Sequence, residues 1–186
     1  VDLDGYEDLI AVNGHRWDVR DADTYDRIRN SFPRVPWNRE QGEFPRLTAQ
    51  NVALRNGHDL AFADMSAAWG VGTDRAISQG IALADFDGDG ALDIFVTRLD
   101  EPPVIYHNRA SAPRIAVRLK GSRPNSRGIG AKVTVRAASL PLQSREMTAG
   151  GYYLSGSDAE LVFATTQATT ATIEVRWRDG RVSIVS

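Results

Sequence analysis

Apolar and polar residues alternate with period two through the C-terminal part of the chain. Ile115, Val117 and Leu119 oppose Arg114, Arg118 and Lys120, and the pattern returns at Val133 and Val135, at Ile173, Val175 and Trp177, and at Val182 and Ile184. Successive side chains of a strand point to opposite faces, so this alternation predicts half-buried antiparallel strands, each with one apolar face. Arg178-Asp179-Gly180-Arg181 predicts a hairpin between the last two runs, because Asp-Gly suits the backbone of a tight turn. Gln143, Arg145 and Glu146 also alternate and are expected on a strand with a solvated polar face. These runs predict a small antiparallel β-sandwich or barrel over residues 111–186, set off by a linker at Ala110 to Pro113.

Upstream the apolar runs are shorter and bounded by turn residues. Leu9-Ile10-Ala11-Val12, Val52 to Gly57, Leu60 to Asp64, Ile81 to Ala84 and Ile94 to Thr97 all read as strands. A polar, proline-bearing insertion occupies about residues 18–50. Within it Asp21 to Phe32 predicts a short helix with Tyr25, Ile28 and Phe32 on one side, and Phe32-Pro33 to Phe44-Pro45 reads as irregular. The expectation is an all-β chain in two parts, 1–110 and 111–186.

Composition narrows the function. With 186 residues, 42% of them hydrophobic, the chain can bury a core and form one or two domains. A net charge of −2 argues against a nucleic-acid binder that depends on phosphate contacts. The absence of cysteine excludes a disulfide scaffold, a zinc–thiolate site and a cysteine nucleophile. No apolar run approaches the roughly 18 residues that would mark a transmembrane helix.

The chemistry concentrates in Asp85-Phe86-Asp87-Gly88-Asp89-Gly90-Ala91-Leu92-Asp93. Ca²⁺ takes roughly six to eight oxygen ligands, and Asp85, Asp87 and Asp89 stand at positions 1, 3 and 5 of a calcium loop. The Ala91 carbonyl falls at position 7, Asp93 at position 9, and Gly90 permits the sharp turn at position 6. An EF-hand would carry a bidentate Glu at position 12, where this chain has Val96, and the apolar flanks are too short for two helices. The expected local structure is strand, metal loop, strand.

A second copy precedes it. Asp4-Gly5-Tyr6-Glu7-Asp8-Leu9-Ile10 aligns with Asp89-Gly90-Ala91-Leu92-Asp93-Ile94-Phe95 at an offset of 85, with Asp2 matching Asp87. The counterpart of Asp85 would precede Val1, so the chain is expected to open inside a repeat. The partial loop of Asp2, Asp4 and Asp8 is expected to bind metal weakly or not at all.

Gly80 to Val96 resembles an FG-GAP/VCBS repeat, the blade unit of calcium-bearing β-propellers, and the spacing of Leu54-Arg55-Asn56-Gly57, Phe62 to Ser66 and Tyr106-His107-Asn108 agrees. Gly128 to Val135, Gln143 to Glu146 and Gly150-Gly151-Tyr152-Tyr153-Leu154-Ser155 resemble the ASPIC/UnbV domain, which accompanies such repeats in the cartilage acidic protein 1 family. Phe163-Ala164-Thr165-Thr166 and Trp177-Arg178-Asp179-Gly180 depart from that domain's usual turns. The resemblance implies a partial β-propeller of one to two blades followed by the β-sandwich. It also implies an extracellular, periplasmic or cell-surface setting, where low-affinity calcium modules are suited to the available Ca²⁺.

The other candidates are weaker. His15, His58 and His107 lie far apart without zinc-site spacing and are expected at surfaces or turns. Gly128-Ile129-Gly130 leads into Val133-Thr134-Val135 and not into a helix, so it reads as a β-turn. Ser155 and Ser157 lack the strand-to-helix setting of a nucleophile elbow. Trp177 reads as core, whereas an exposed Trp37 between Pro36 and Asn38 would suit a sugar or protein partner. The expected function is a non-enzymatic module in which structural Ca²⁺ supports adhesion or recognition of a protein or carbohydrate ligand. A propeller-based lyase, cyclase or hydrolase, or a carbohydrate-binding module, is the alternative, because fold alone does not decide function.

Overall fold

The computed structural model describes residues 1–31, 33–34, 36–165 and 170–186, with the backbone alone at 37 and 38. Phe32, Thr166 and the side chain of Trp37, to which sequence expectations attach, lie outside the described residues. The architecture is all-β with two short helices.

Strands β1 (Leu9–Ala11), β2 (Val52–Asn56) and β3 (Phe62–Asp64) form one antiparallel sheet in that order. Strands β4 (Ser78–Ala84), β5 (Asp93–Arg98) and β6 (Glu101–Tyr106) form a second. The two sheets repeat one arrangement: Leu9 pairs with Leu54 and Ile10 with Ala53, as Ile94 pairs with Tyr106 and Phe95 with Ile105. Between β5 and β6 the chain turns through Leu99 and Asp100, whereas between β1 and β2 it makes the long excursion that holds the insertion. His15 and Leu47 close the base of that excursion with reciprocal backbone hydrogen bonds of 3.0 and 3.1 Å. Arg16 and Arg46 then fasten it to Asp100 on the β5–β6 turn, at 3.3 and 3.2 Å.

The insertion departs from expectation in two respects. Helix α1 (Ala22–Arg29) starts at Asp21, whose side chain accepts the Thr24 N–H at 2.8 Å as an N-cap, but it turns Thr24 inward and leaves Tyr25 57% exposed. The stretch expected to be irregular contains helix α2 (Trp37–Glu43), which follows Pro36. Proline fits just before a helix, where no backbone N–H is needed.

The C-terminal part has two layers. Strands β7 (Arg114–Val117) and β10 (Leu161–Ala164) pair with each other, while β8 (Lys132–Ala137), β9 (Gln143–Glu146), β11 (Ala171–Arg176) and β12 (Val182–Val185) form a sheet in the order β12-β11-β8-β9. Val117 and Phe163 of the smaller sheet pack in one core with Val133, Val135 and Val175 of the larger. Phe163 is 1% exposed, and burying an aromatic side chain there contributes on the order of 2–3 kcal/mol.

Register decides two corrections. Val182 and Ile184 face Arg176 and Glu174 across the β11–β12 ladder, on the outer face, and are 50% and 64% exposed. They were expected on the apolar side, but directly opposed residues share a face, and pairing with β11 turns these two outward. Gln143 and Arg145, expected on a solvated face, sit opposite Val135 and Val133 and close the rim of the core. Gln143 bonds the Ala164 backbone through both amide atoms, at 2.8 and 3.0 Å, and Arg145 lies over the Phe163 ring.

The two parts meet along the free edge of β4. Ser157 Oγ accepts the Leu83 N–H at 2.9 Å, the Asp158 N–H donates to the Leu83 carbonyl at 3.0 Å, and the Ser155 hydroxyl donates to the Ile81 carbonyl. An open sheet edge exposes unpaired backbone groups, and this segment covers them.

Candidate metal centre

The acidic loop spans the end of the β4–β5 hairpin, where Ala84 pairs with Asp93. Asp85 organises it. One carboxylate oxygen accepts the N–H groups of Gly88 and Asp89 at 2.8 and 3.1 Å, and the other accepts Gly90 N–H at 2.9 Å. Gly88 and Gly90 adopt φ of 78° and 85°, a left-handed backbone that glycine enters without steric cost. Asp93 is 3% exposed, and each of its oxygens accepts one backbone N–H, from Phe86 at 3.1 Å and from Asn108 at 2.7 Å, which leaves a second lone pair on each.

Oxygens of Asp85, Asp87 and Asp93 lie within 4.8 Å of one another, so three of the named carboxylates converge. Asp89 stands instead with Asp87 and His107. Its Oδ1 accepts the Ala91 N–H at 2.7 Å, and Arg114 approaches its Oδ2 at 3.3 Å and its backbone carbonyl at 2.6 Å. Ala91 is fully buried below the loop. His107 Nε2 lies 3.3 Å from Asp87.

The first loop keeps the same frame with different neighbours. Asp8 accepts the Asn56 N–H at 3.0 Å, as Asp93 does from Asn108, and the two asparagine side chains donate to the equivalent carbonyls of Glu7 and Leu92 at 3.2 and 3.3 Å. Arg55 occupies the position of His107 and reaches Asp2 at 2.6 Å and Asp4 at 3.3 Å. His58, stacked on Tyr6 with ring centroids 3.6 Å apart, lies 2.9 Å from Asp4. Burial pushes the Asp4 carboxyl up, but the His58 bond, the Tyr6 amide and the charges of His58 and Arg55 together hold it below its ordinary value. The hydrogen bond that Arg55 donates to Asp2, with the charge of that carboxylate, pushes the Arg55 guanidinium up.

Oxygen donors on a short rigid turn suit a hard cation such as Ca²⁺ better than softer metals that prefer nitrogen or sulfur. In the second loop Asp85, Asp87 and Asp93 would hold it. The contacts that Asn108, Arg114, His107 and Arg55 make with the loops were not foreseen from the sequence, although Asn56, which ends β2, and Asn108, just after β6, recur at matching places in the two copies.

Residues 121–186 match the ASPIC and UnbV family model. No curated protein matches the chain. The ASPIC and UnbV segment contains β8 to β12, and β7, just upstream of it, supplies the partner of β10. The segment also carries Ser155 and Ser157, whose hydroxyls bond the backbone of β4.

Proposed function

We propose that this chain is a calcium-bearing structural module in which Ca²⁺ on Asp85, Asp87 and Asp93, completed by Asp89 and the Ala91 carbonyl, staples the β4–β5 hairpin. The observation that carries this reading is the convergence of the first three carboxylates within 4.8 Å. Asp85 and Asp93 make no ion pair among the described residues, and a divalent cation would relieve the repulsion within the cluster. Bound metal would fix the hairpin and so couple binding to local folding.

The repeated pairing register and the repeated aspartate–asparagine bonds support reading the two sheets as FG-GAP/VCBS blades joined to the ASPIC and UnbV domain. In an extracellular, periplasmic or cell-surface protein, such a calcium-stapled unit would serve adhesion or ligand recognition. Calorimetric titration with CaCl₂ and thermal melting with and without chelator test the proposal. Ca²⁺ should bind and raise Tm, with stabilisation of about 2.7 kcal/mol at one hundred times Kd. An unchanged Tm, or an Asp87→Ala variant that binds Ca²⁺ like the parent, overturns it.

A further inference from the structure

A cleft of ≈ 570 Å³ opens between residues 120–125 and the β11–β12 turn, and it shares no residue with the metal loop. Lys120, Arg123, Arg178 and Arg181 line it against a single carboxylate, Asp179. That carboxylate is already engaged by Arg181 at 2.7 Å, and among the described residues Lys120, Arg123 and Arg178 make no ion pair. This local excess of positive charge contrasts with the chain's net −2. Clustered cations with low-dielectric walls repel one another and concentrate anions.

The cleft also has a fixed aromatic wall. Trp177 packs against the core, its indole N–H donates to Ser183 Oγ at 2.9 Å, and it rests on Gly128, where a Cβ would meet the ring at 3.2 Å. The ring is therefore held in place while its edge of the cleft stays open to a ligand. A rigid aromatic beside charged groups can take the apolar face of a sugar while cations take its anionic substituents.

We propose that this cleft binds an acidic glycan, a carboxylated or sulfated sugar chain, with one ring against Trp177 and its anionic groups on Lys120, Arg123 and Arg178. The volume falls within the roughly 300–1,000 Å³ of small-ligand sites and so suits a short segment of such a chain. Single-stranded nucleic acid is the less fitting polyanion, because its binding surfaces stack successive bases on several aromatics and this cleft offers one. The inference goes beyond the calcium reading and does not depend on it.

Calorimetry on the full chain in chelator tests it with four probes: a sulfated heparin hexasaccharide, a hexagalacturonate, neutral maltohexaose and a single-stranded oligodeoxynucleotide of matching charge. One or both acidic glycans should bind, and which of them does so separates sulfate from carboxylate recognition. The exposed double variant Arg123→Ala/Arg178→Ala should weaken that binding by about tenfold or more, with an unchanged circular dichroism spectrum. Trp177→Phe, which keeps an aromatic in the wall, should weaken it by about threefold or more. Failure of both acidic glycans to bind in chelator overturns the proposal, as does equal binding of maltohexaose, binding of the oligonucleotide as tight as the glycan's, or indifference to the double arginine variant.

Discussion

Asp93 accepts the backbone N–H of Asn108 at 2.7 Å, tying the end of the acidic loop to the residues that follow β6. Its other oxygen holds the Phe86 N–H, so the carboxylate has a structural part to play before any cation arrives. Asp87, 42% exposed, lies 3.3 Å from His107 and accepts one exposed backbone N–H, that of Asp89 at 3.1 Å, which Asp85 also accepts, so its part in the fold is smaller. In chelator, Asp93→Ala is expected to destabilise the chain by about 1–3 kcal/mol by leaving two N–H groups unsatisfied. Asp87→Ala should stay within about 0.5 kcal/mol of the parent in chelator while losing the calcium response. Urea titrations of both variants, with chelator and with CaCl₂, make the comparison. Equal losses in chelator would show that the two carboxylates are not divided in this way.

Arg114 links the loop to the C-terminal layers. It begins β7 and donates to the Asp89 carbonyl at 2.6 Å and to the Ala110 carbonyl just upstream of β7. Ordering of the loop by calcium should therefore be felt in β7 and β10. In hydrogen exchange, CaCl₂ is expected to slow the amides of β4, β5, β7 and β10 in the parent. In Arg114→Ala the slowing should remain in β4 and β5 and disappear from β7 and β10. Retention of the effect in β7 would assign the coupling to another contact.

Ser157, between β9 and β10, reaches β4 to accept the Leu83 N–H. Ser157→Ala is expected to cost about 1 kcal/mol and to speed exchange of the Leu83 amide, because the edge of β4 loses one of its partners. Unchanged protection at Leu83 would mean that the covering segment does not close this edge in solution.

The loop was legible in sequence because its frame is local: Asp85 to Asp93 is contiguous, and the carboxylate-to-amide bonds within it span at most seven residues. The period-two strands were legible wherever both neighbours lie in the same sheet, as at Val133 and Val135. Val182 and Ile184 were not, because the face they present depends on register with β11, and a one-residue slip inverts it. Pairing of Asp89 with Arg114 and of Asp2 with Arg55 joins segments 25 and 53 residues apart, which no local pattern encodes. The helix after Pro36 lacks an apolar stripe, having only Trp37 as a large apolar residue, so periodicity had little to detect.

The first loop should reveal its cations through acid titration. The Asp4 carboxyl lies below 3.8 in the folded chain, since the His58 bond, the Tyr6 amide and the two nearby positive charges outweigh the upward push of burial. Folding thus favours the charged form. The resulting stability is complete above the unfolded value of 3.8 and is lost as pH falls through the lower folded value. His58 and Arg55 are substantially exposed, so solvent screening limits the contribution to under about 1 kcal/mol. The parent is expected to exceed Asp4→Asn in urea stability at about pH 5, and the gap should narrow progressively as pH falls below 3.8. A gap that widens on acidification would reverse the sign and place the stabilisation on the protonated carboxyl.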